Sequence, residues 1–221
     1  MHRKSARSAV MTSRQRNDQF CGLARSLEVV GDRWTLLVVR QLLIAPARYR
    51  DLRDGLPGIA TNLLADRLRD LEAAGVVERR PAGTGSVIEY ALTPWGAELR
   101  GPIESLIRWS TPLMARGPGD DAFRSEWLAL AVPALLGARV EVRSPAAIGI
   151  EIGEAPLQLC ATDSGFEVGP RDGRDLDATV RAEPVYLLGL AAGAFTLGDA
   201  RALGLLEIEG DEAVVRAVFA A

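Results

Sequence analysis

The chain has 221 residues, enough for one large domain or two small ones, and its net charge is −3. It contains one lysine, Lys4, and one histidine, His2. These scarcities exclude a phosphate-binding P-loop, a lysine Schiff base, a serine–histidine–aspartate triad and a histidine zinc site. Two cysteines cannot supply the four thiolates of a structural zinc site. The composition therefore favours a binding protein without cofactor or metal, or an enzyme that works with carboxylates.

The net charge hides two halves of opposite sign. Residues 1–116 hold 18 Arg or Lys and 12 Asp or Glu, a net of +6. Residues 117–221 hold 8 Arg or Lys and 17 Asp or Glu, a net of −9. A basic half can approach a polyanion and an acidic half cannot. The split predicts two modules with different partners.

Four segments are predicted along the chain. They are a disordered basic tail at 1–18, a first domain at 19–113, a linker rich in turn formers at 114–121 and a second domain at 122–221. The tail lacks the apolar run of a secretory signal. The longest uncharged stretch, 184–198, has 15 residues, short of the ~20 that span a bilayer. We therefore expect a cytoplasmic protein that does not enter a membrane.

Apolar periodicity predicts helices and a hairpin in the first domain. The predicted elements are a helix ending at Gly31, a helix at 34–43 that is apolar on nearly all sides and is therefore expected in the interior, helices at 48–55 and 61–74, strands at 76–80 and 87–92 around a tip at 81–86, and a helix to about Leu113.

The 61–74 helix separates apolar from polar residues. Leu64, Leu68 and Leu71 form one face. At about 100° per residue, the opposite face holds Asn62, Asp66, Arg69 and Ala73. A helix, a turn, a second helix and a hairpin with arginines at its base is the layout of a winged helix-turn-helix. In that layout the second helix enters the major groove and the hairpin reaches phosphates.

The first domain resembles the HxlR family of bacterial transcription regulators over about residues 20–112. The resemblance rests on a series of motif positions in order: Cys21, the run Leu27–Leu37 with Trp34, Arg48-Tyr49, Leu52, Leu56–Ile59, Leu63–Leu68 with Arg67, Leu71–Arg79 with Gly75, and Glu89–Gly96. It implies DNA binding as a homodimer whose terminal helices build the dimer interface. The sequence departs from the family at Ala60, where a capping serine is frequent. Thr61 is expected to supply the cap instead.

Seven residues are predicted to bind DNA: Arg48, Thr61, Asn62, Arg67, Arg69, Arg79 and Arg80. Arg67 is assigned to a phosphate and Arg69 to the groove, while the hairpin arginines and Arg48 are assigned to phosphates. The alternatives are solvated charges on a helix or strand, an ion pair between Arg67 and Asp70, and simple helix capping at 61 and 62.

Cys21 is a candidate redox sensor, because the resemblance implies that a cysteine at this place can act as a redox or electrophile switch. The chemistry needs exposure and a lowered thiol pKa. Arg25 lies one turn further on and is expected to help lower that pKa. The alternative is an inert, packed side chain, and burial is expected for Cys160.

Alternating residues predict a sheet in the second domain. The predicted elements are strands at 139–143, 147–152, 157–161, 165–168, 177–182 and 204–210, a turn at 153–156, a helix at 184–192, a helical turn after Thr196, a cap at Asp211 and a final helix to Phe219.

The second domain is similar to the sterol carrier protein type 2 family, most clearly over about 177–219. The residues that carry this similarity are Asp177–Val180, Pro184, Leu187-Leu188, Gly193, Thr196, Ala200, Gly204–Asp211, Val215 and Phe219. It implies a mostly antiparallel sheet whose helices enclose an apolar tunnel, so that the whole chain has an α+β fold. Leu187, Leu190 and Phe195 are candidate ligand-pocket residues, with ordinary core as the alternative.

Together these patterns predict a transcription regulator that is not an enzyme, interpreted as a repressor. Its expected partners are double-stranded DNA, a second copy of the chain and an apolar small-molecule effector. The alternative hypothesis is a carrier of lipids or other hydrophobic ligands, or a carboxylate enzyme, whose N-terminal module mediates protein contacts.

Overall fold

The computed structural model describes residues 18–83, 87–114, 117–142, 144–152 and 156–219. They form two compact units that divide between Leu99 and Arg100. Apart from Asp18, the predicted disordered tail lies outside the described residues.

The first unit contains short helices followed by a hairpin. In chain order its elements are α1 (Gly22–Val30), α2 (Arg33–Ile44), α3 (Tyr49–Asp54), α4 (Thr61–Ala73), β1 (Val77–Pro81), β2 (Ile88–Leu92) and α5 (Pro94–Ala97). The hairpin is antiparallel and pairs Arg79 with Tyr90 and Arg80 with Glu89. Residues 84–86 of the predicted tip lie outside the described residues.

Local signals explain where the central helices begin. The Asp32 side chain accepts a hydrogen bond from the Trp34 backbone N–H at 2.9 Å and so caps α2. The α2 residues Thr35, Val38, Val39, Leu42 and Leu43 are all buried, which confirms the prediction of an interior helix. The expected cap at Thr61 is wrong. The N-cap of α4 is Ala60, and Thr61 is already the first helical residue, so no side chain caps this helix.

The second unit begins with two helices where one was predicted to run on to about Leu113. They are α6 (Arg100–Trp109) and α7 (Thr111–Met114). Pro112 lacks the backbone N–H that a continuous helix would need at this position, so α6 ends before it. The boundary between the two units follows Leu99 and so precedes the predicted linker at 114–121. The reason is that α6 packs on the helix that begins at Leu128. The predicted domain limits remain a prediction.

A five-stranded sheet forms the body of the second unit. After a 3-10 turn at Ser125–Trp127 its elements are α8 (Leu128–Leu136), β3 (Ala146–Glu151), β4 (Leu157–Thr162), β5 (Gly165–Pro170), β6 (Ala178–Ala182), α9 (Pro184–Ala192), α10 (Leu197–Ala202), β7 (Leu206–Gly210) and α11 (Glu212–Phe219). The strand order is β5-β4-β3-β6-β7. Among the described strands of this sheet, β3 and β6 are parallel and the other neighbours are antiparallel, so the predicted mostly antiparallel sheet is present.

The predicted strand at 139–143 is wrong. Residues 139–142 form no strand, and residue 143 lies outside the described residues. The backbone N–H groups of Arg139 and Val140 both donate to Leu136 O at 2.8 Å, which closes the end of α8. Arg139 Nη1 also donates to Ala191 O at the end of α9. The segment is therefore held as a turn between two helix ends.

The core of the second unit lies between the sheet and its helices. α9 contributes the buried Leu187 and Leu190, and α11 contributes Val215, Val218 and Phe219. Asp211 accepts from the Ala213 N–H at 2.8 Å and caps α11, as expected. The predicted turn at 153–156 lies, except for Pro156, outside the described residues. Within the part of the chain that the structure describes, no helix is long and apolar enough to cross a membrane.

Candidate nucleic-acid interface

The exposed face of α4 is the centre of the candidate interface. Leu64, Leu68 and Leu71 are buried against the first unit. On the opposite side the Arg69 side chain is 70% exposed and its Nη1 lies 2.9 Å from Asp66 Oδ1. Asn62 is also exposed. A polar helix face that stands free of its own domain can enter a major groove.

The start of α4 is held by the preceding helix. Tyr49 Oη donates to the Thr61 backbone carbonyl at 2.6 Å and ties α3 to the first turn of α4. The turn between them contains Gly58 with a φ of +85°, a conformation that favours glycine. Arg48 is exposed directly before α3. Arg48 and Thr61 therefore lie at the starts of α3 and α4.

Arg67 and Arg69 differ in their surroundings. The Arg67 side chain is only 21% exposed, and its Nη1 lies 3.2 Å from Asp70 Oδ2. Its Nε is buried without a hydrogen-bond partner in the described residues. The ion pair with Asp70 that was the alternative interpretation is thus present. Arg67 lies on the flank of α4, beside its buried face.

The two hairpin arginines are each held by a carboxylate. Arg79 Nε on β1 lies 2.9 Å from Glu72 Oε1 on α4. Arg80 Nε lies 2.9 Å from Glu89 Oε1 on the paired strand. The hydrogen bond and charge of Glu72 raise the pKa of Arg79 above its ordinary value. Both guanidiniums remain about half exposed, so they can exchange these carboxylates for other anions.

Comparisons with known proteins identify this module. The model of the HxlR-like helix-turn-helix family matches residues 29–117. The helix-turn-helix transcriptional regulator YvaP of Bacillus subtilis is 33% identical over 88 residues, which are 39% of this chain and 82% of YvaP. This chain belongs to the HxlR family. The resemblance predicted from the motifs is confirmed for this region, and the HxlR match contains all seven residues predicted to contact DNA.

A further relative matches over a longer stretch. YodB of Bacillus subtilis is 30% identical over 103 residues, 46% of this chain and 89% of YodB. The solved structure of its reduced form shares 28% identity and a TM-score of 0.39, and the match covers 45% of this chain and 99% of that one. The relatives are transcriptional regulators, and the HxlR module of this chain is a DNA-binding helix-turn-helix of a transcriptional regulator.

Cys21 lies at the N-terminus of α1 and is exposed. The nearby backbone N–H groups of Ala24 and Leu23 lower the pKa of the Cys21 thiol. Arg25, which was expected to contribute, forms an ion pair with Glu28 at 3.0 Å instead. The lowered pKa therefore comes from the helix end.

Cys160 has the opposite environment. It is buried on β4, where Arg174 Nη1 donates to its sulfur at 3.2 Å. Burial raises the pKa of the Cys160 thiol, and the nearby Arg174 only opposes that effect. The burial expected from the sequence is present.

We expect Cys21 to react with iodoacetamide at least about tenfold faster than Cys160 in the native protein at pH 7.5, because the thiolate is the reactive form. Peptide mass spectrometry of a time course measures the two rates. In urea, both thiols should react at similar rates. Equal rates in the native protein would contradict the contrast between the two environments.

The three candidate ligand-pocket residues lie in or against the core. Leu187 and Leu190 are fully buried, and Phe195 is half-buried. The Phe195 ring lies over Gly189, where an added Cβ would come within 2.7 Å of its Cε1. Their role in binding a ligand remains a prediction.

A cavity of about 600 Å³ lies elsewhere in the second unit, between α11, the sheet and the turn after α8. Its apolar lining includes Val140, Val142, Phe166, Val214 and Val218, with the Arg139 side chain at its border. This cavity was not predicted from the sequence. The signal for it was the pair of small residues on α11, Ala213 and Ala217, which leave space beside the sheet.

The acidic residues after α10 have structural contacts. Glu212 pairs with Arg216 at 2.7 Å and also with Arg201. Glu207 and Glu209 are exposed on β7. Among the described residues, no group of three His, Cys, Asp or Glu side chains is placed to hold a metal ion.

Proposed function

We propose that this HxlR-family regulator binds double-stranded DNA as a homodimer and acts as a repressor, with α4 in the major groove and the β1–β2 hairpin beside it. The observation that carries this proposal is the exposed polar face of α4, opposite its three buried leucines. Arg69 and Asn62 then face base edges, while Arg67, Arg48 and the hairpin arginines face phosphates. Thr61 contacts the duplex at the helix start.

The test is a mobility shift with the DNA upstream of the protein's own gene. The double variant Arg67→Ala, Arg69→Ala should lower the affinity at least about tenfold, because each charge-assisted hydrogen bond is worth about 1.5–3 kcal/mol. The control is Arg216→Ala, which removes an exposed, ion-paired arginine from α11 of the second unit. Unchanged affinity of the double variant would remove both residues from the interface, and no shift by the wild type at low salt would contradict the proposal.

Exposed apolar side chains support the homodimer. Phe20, Leu23 and Leu27 follow one another at helical spacing on and before α1, and all three are exposed. In the second unit, Leu106 and Trp109 of α6 are exposed as well. Such patches mark interfaces, and a two-fold axis brings the same helix of two copies together. Two modules related in this way read half-sites about 10 bp apart or a multiple of that.

Leu23→Asp is expected to convert the dimer to a monomer, because it would bury a carboxylate in the proposed interface. Sedimentation velocity measures the change. The matched control is Leu203→Asp, which alters an equally exposed leucine (71%, against 67% for Leu23) outside these patches. A Leu23→Asp variant that sediments like the wild type would contradict the proposed role of α1.

A second function is favoured by the cavity under α11. We propose that the second unit, which we interpret as sterol carrier-like, binds an apolar effector in this space of about 600 Å³, within the usual range for small-molecule sites. The effector would alter DNA binding only if it bound two states of the dimer with different affinity. The alternative, a carrier of hydrophobic ligands, would use the same cavity, but it requires no change in the affinity for DNA.

Ala217→Trp should fill the cavity from its exposed border and abolish binding of 8-anilinonaphthalene-1-sulfonate, an apolar dye. Fluorescence titration measures this binding. Ala202→Trp, at the end of α10 and outside the lining, is the control and should bind the dye normally. Equal dye binding by both variants would contradict the assignment of this cavity. Dye binding that leaves the DNA affinity unchanged would favour the carrier.

We also propose that Cys21 is a redox sensor of this regulator. Its exposure and lowered thiol pKa are the two properties that oxidation chemistry needs. Its place at the start of α1 would let oxidation alter the proposed dimer interface.

A further inference from the structure

The exposed face of α4 carries a carboxylate among its cations. Asp66 lies on the same face as Asn62 and Arg69, and its side chain is 50% exposed. A carboxylate that faces a duplex is repelled by the phosphates and loses its water. It is therefore unfavourable there unless the duplex offers it a hydrogen-bond donor. The seven residues assigned to DNA contact do not include Asp66.

The geometry of the pair indicates what that donor is. Asp66 Oδ1 accepts from Arg69 Nη1 at 2.9 Å, and in the described part of the chain Oδ2 has no hydrogen-bond partner. The major-groove edge of cytosine presents an N4 amino donor, to which Asp and Glu side chains pair. Guanine presents O6 and N7 acceptors, which pair with arginine. A joined carboxylate and guanidinium thus match the two bases of a C·G pair or of neighbouring pairs.

The spacing fits this match. Residues three apart on a helix differ by about 4.5 Å along its axis, close to the rise of about 3.4 Å between successive base pairs. The ion pair also restrains the Arg69 guanidinium before binding, which lowers the entropy that is lost when it contacts a base.

We propose that Asp66 is a specificity-determining residue of this regulator: its Oδ2 accepts a hydrogen bond from a cytosine N4 amino group, while Arg69 donates to the guanine of the same or the adjacent base pair. This inference rests on the proposed placement of α4 in the major groove. It specifies in addition that each half-site contains a C·G pair at the position that α4 contacts.

The same helix supplies a matched control. Arg67 and Asp70 form a second ion pair between residues three apart in sequence, with Arg67 Nη1 3.2 Å from Asp70 Oδ2. Asp70 is as exposed as Asp66 (52% against 50%). Arg67, the partner of Asp70, however, lies on the flank of α4 and is 21% exposed, whereas Arg69 is 70% exposed. Asp70→Asn therefore removes the same charge from the same helix without removing a base reader.

The experiment is selection of bound duplexes from a random-sequence library, followed by sequencing. Wild type is compared with Asp66→Asn, Asp66→Ala and Asp70→Asn, each first shown by circular dichroism to melt like the wild type. The wild type should enrich cytosine at one position of each half-site. Asp66→Ala should reduce that preference by about five- to tenfold or more. Asp66→Asn should shift it towards adenine, because an amide both donates and accepts.

Asp70→Asn should keep the wild-type base preference and only raise the affinity for all sequences. If both Asp66 variants behave in that same way, the inference is wrong while the proposed function stands. The inference is also wrong if the wild-type half-site contains no C·G pair that depends on Asp66. A wild type that enriches no sequence overturns the proposed function, and the inference with it.

Discussion

Replacement of Arg79 and Arg80 by alanine is expected to lower the affinity for DNA by about tenfold or more for each arginine that contacts a phosphate. Both side chains lie on the hairpin that the proposed complex places beside the duplex, and both are about half exposed. The plot of log affinity against log salt should become shallower by about 0.9 for each phosphate that the variant no longer neutralises. Fluorescence anisotropy titrations at several salt concentrations measure both quantities.

The ion pairs of these arginines do not prevent phosphate contact. Glu72 and Glu89 each hold one guanidinium at 2.9 Å. Pairs of this kind near the surface contribute only about 0–1 kcal/mol, whereas each phosphate that is neutralised releases condensed counterions. Exchange of a carboxylate for a phosphate is therefore favourable, and the carboxylates orient the arginines until DNA arrives.

A control follows from this exchange. The double variant Glu72→Gln, Glu89→Gln should bind DNA more tightly than the wild type, because it keeps the arginines and removes two negative charges close to the phosphates. If the arginine double variant retained both the affinity and the salt dependence of the wild type, the hairpin would not lie against the duplex.

Truncation of Leu187 to alanine is expected to lower the free energy of unfolding of the second unit by about 2–5 kcal/mol. Leu187 lies on α9 and is fully buried in the core. Its truncation removes buried apolar surface and leaves a cavity that the surrounding helices and strands fill only in part. Urea unfolding, followed by far-UV circular dichroism, measures the change.

Leu203→Ala is the matched control, because Leu203 is 71% exposed at the end of α10. It should change the free energy of unfolding by no more than about 0.5 kcal/mol. A decrease below about 1 kcal/mol for Leu187→Ala would mean that this side chain borders open space. That result would favour its predicted role as a pocket residue over its place in a packed core.

Elements whose signals lie within a few residues were predictable. The 3.6-residue period of α4 predicted its buried leucines and its polar face, and the apolar run after Asp32 predicted an interior helix. The limits of α9, Pro184–Ala192, agree with the prediction because a proline begins the helix and a glycine with φ +71° follows it. These features depend on backbone geometry and nearest neighbours alone.

Features that depend on residues far apart in sequence were missed or misplaced. The alternation at 139–143 suggests a strand, but the end of α8 and the carbonyls of α9 engage this segment. The cavity beside α11 was not predicted, because residues of α11, the sheet and the turn after α8 form it together. A hydrophobic pattern shows that a face is covered. It does not show whether that face packs against other side chains or lines a cavity.

Short motifs and helical periodicity were enough to predict the winged helix-turn-helix, its family and the polar face of α4. The carboxylate partners of the hairpin arginines became evident only in the folded structure. Arg79 is held by Glu72 on a different element, and Arg80 is held by Glu89 on the paired strand. The physical reason is that an ion pair needs two side chains within about 4 Å, a distance that is set by how helices and strands pack.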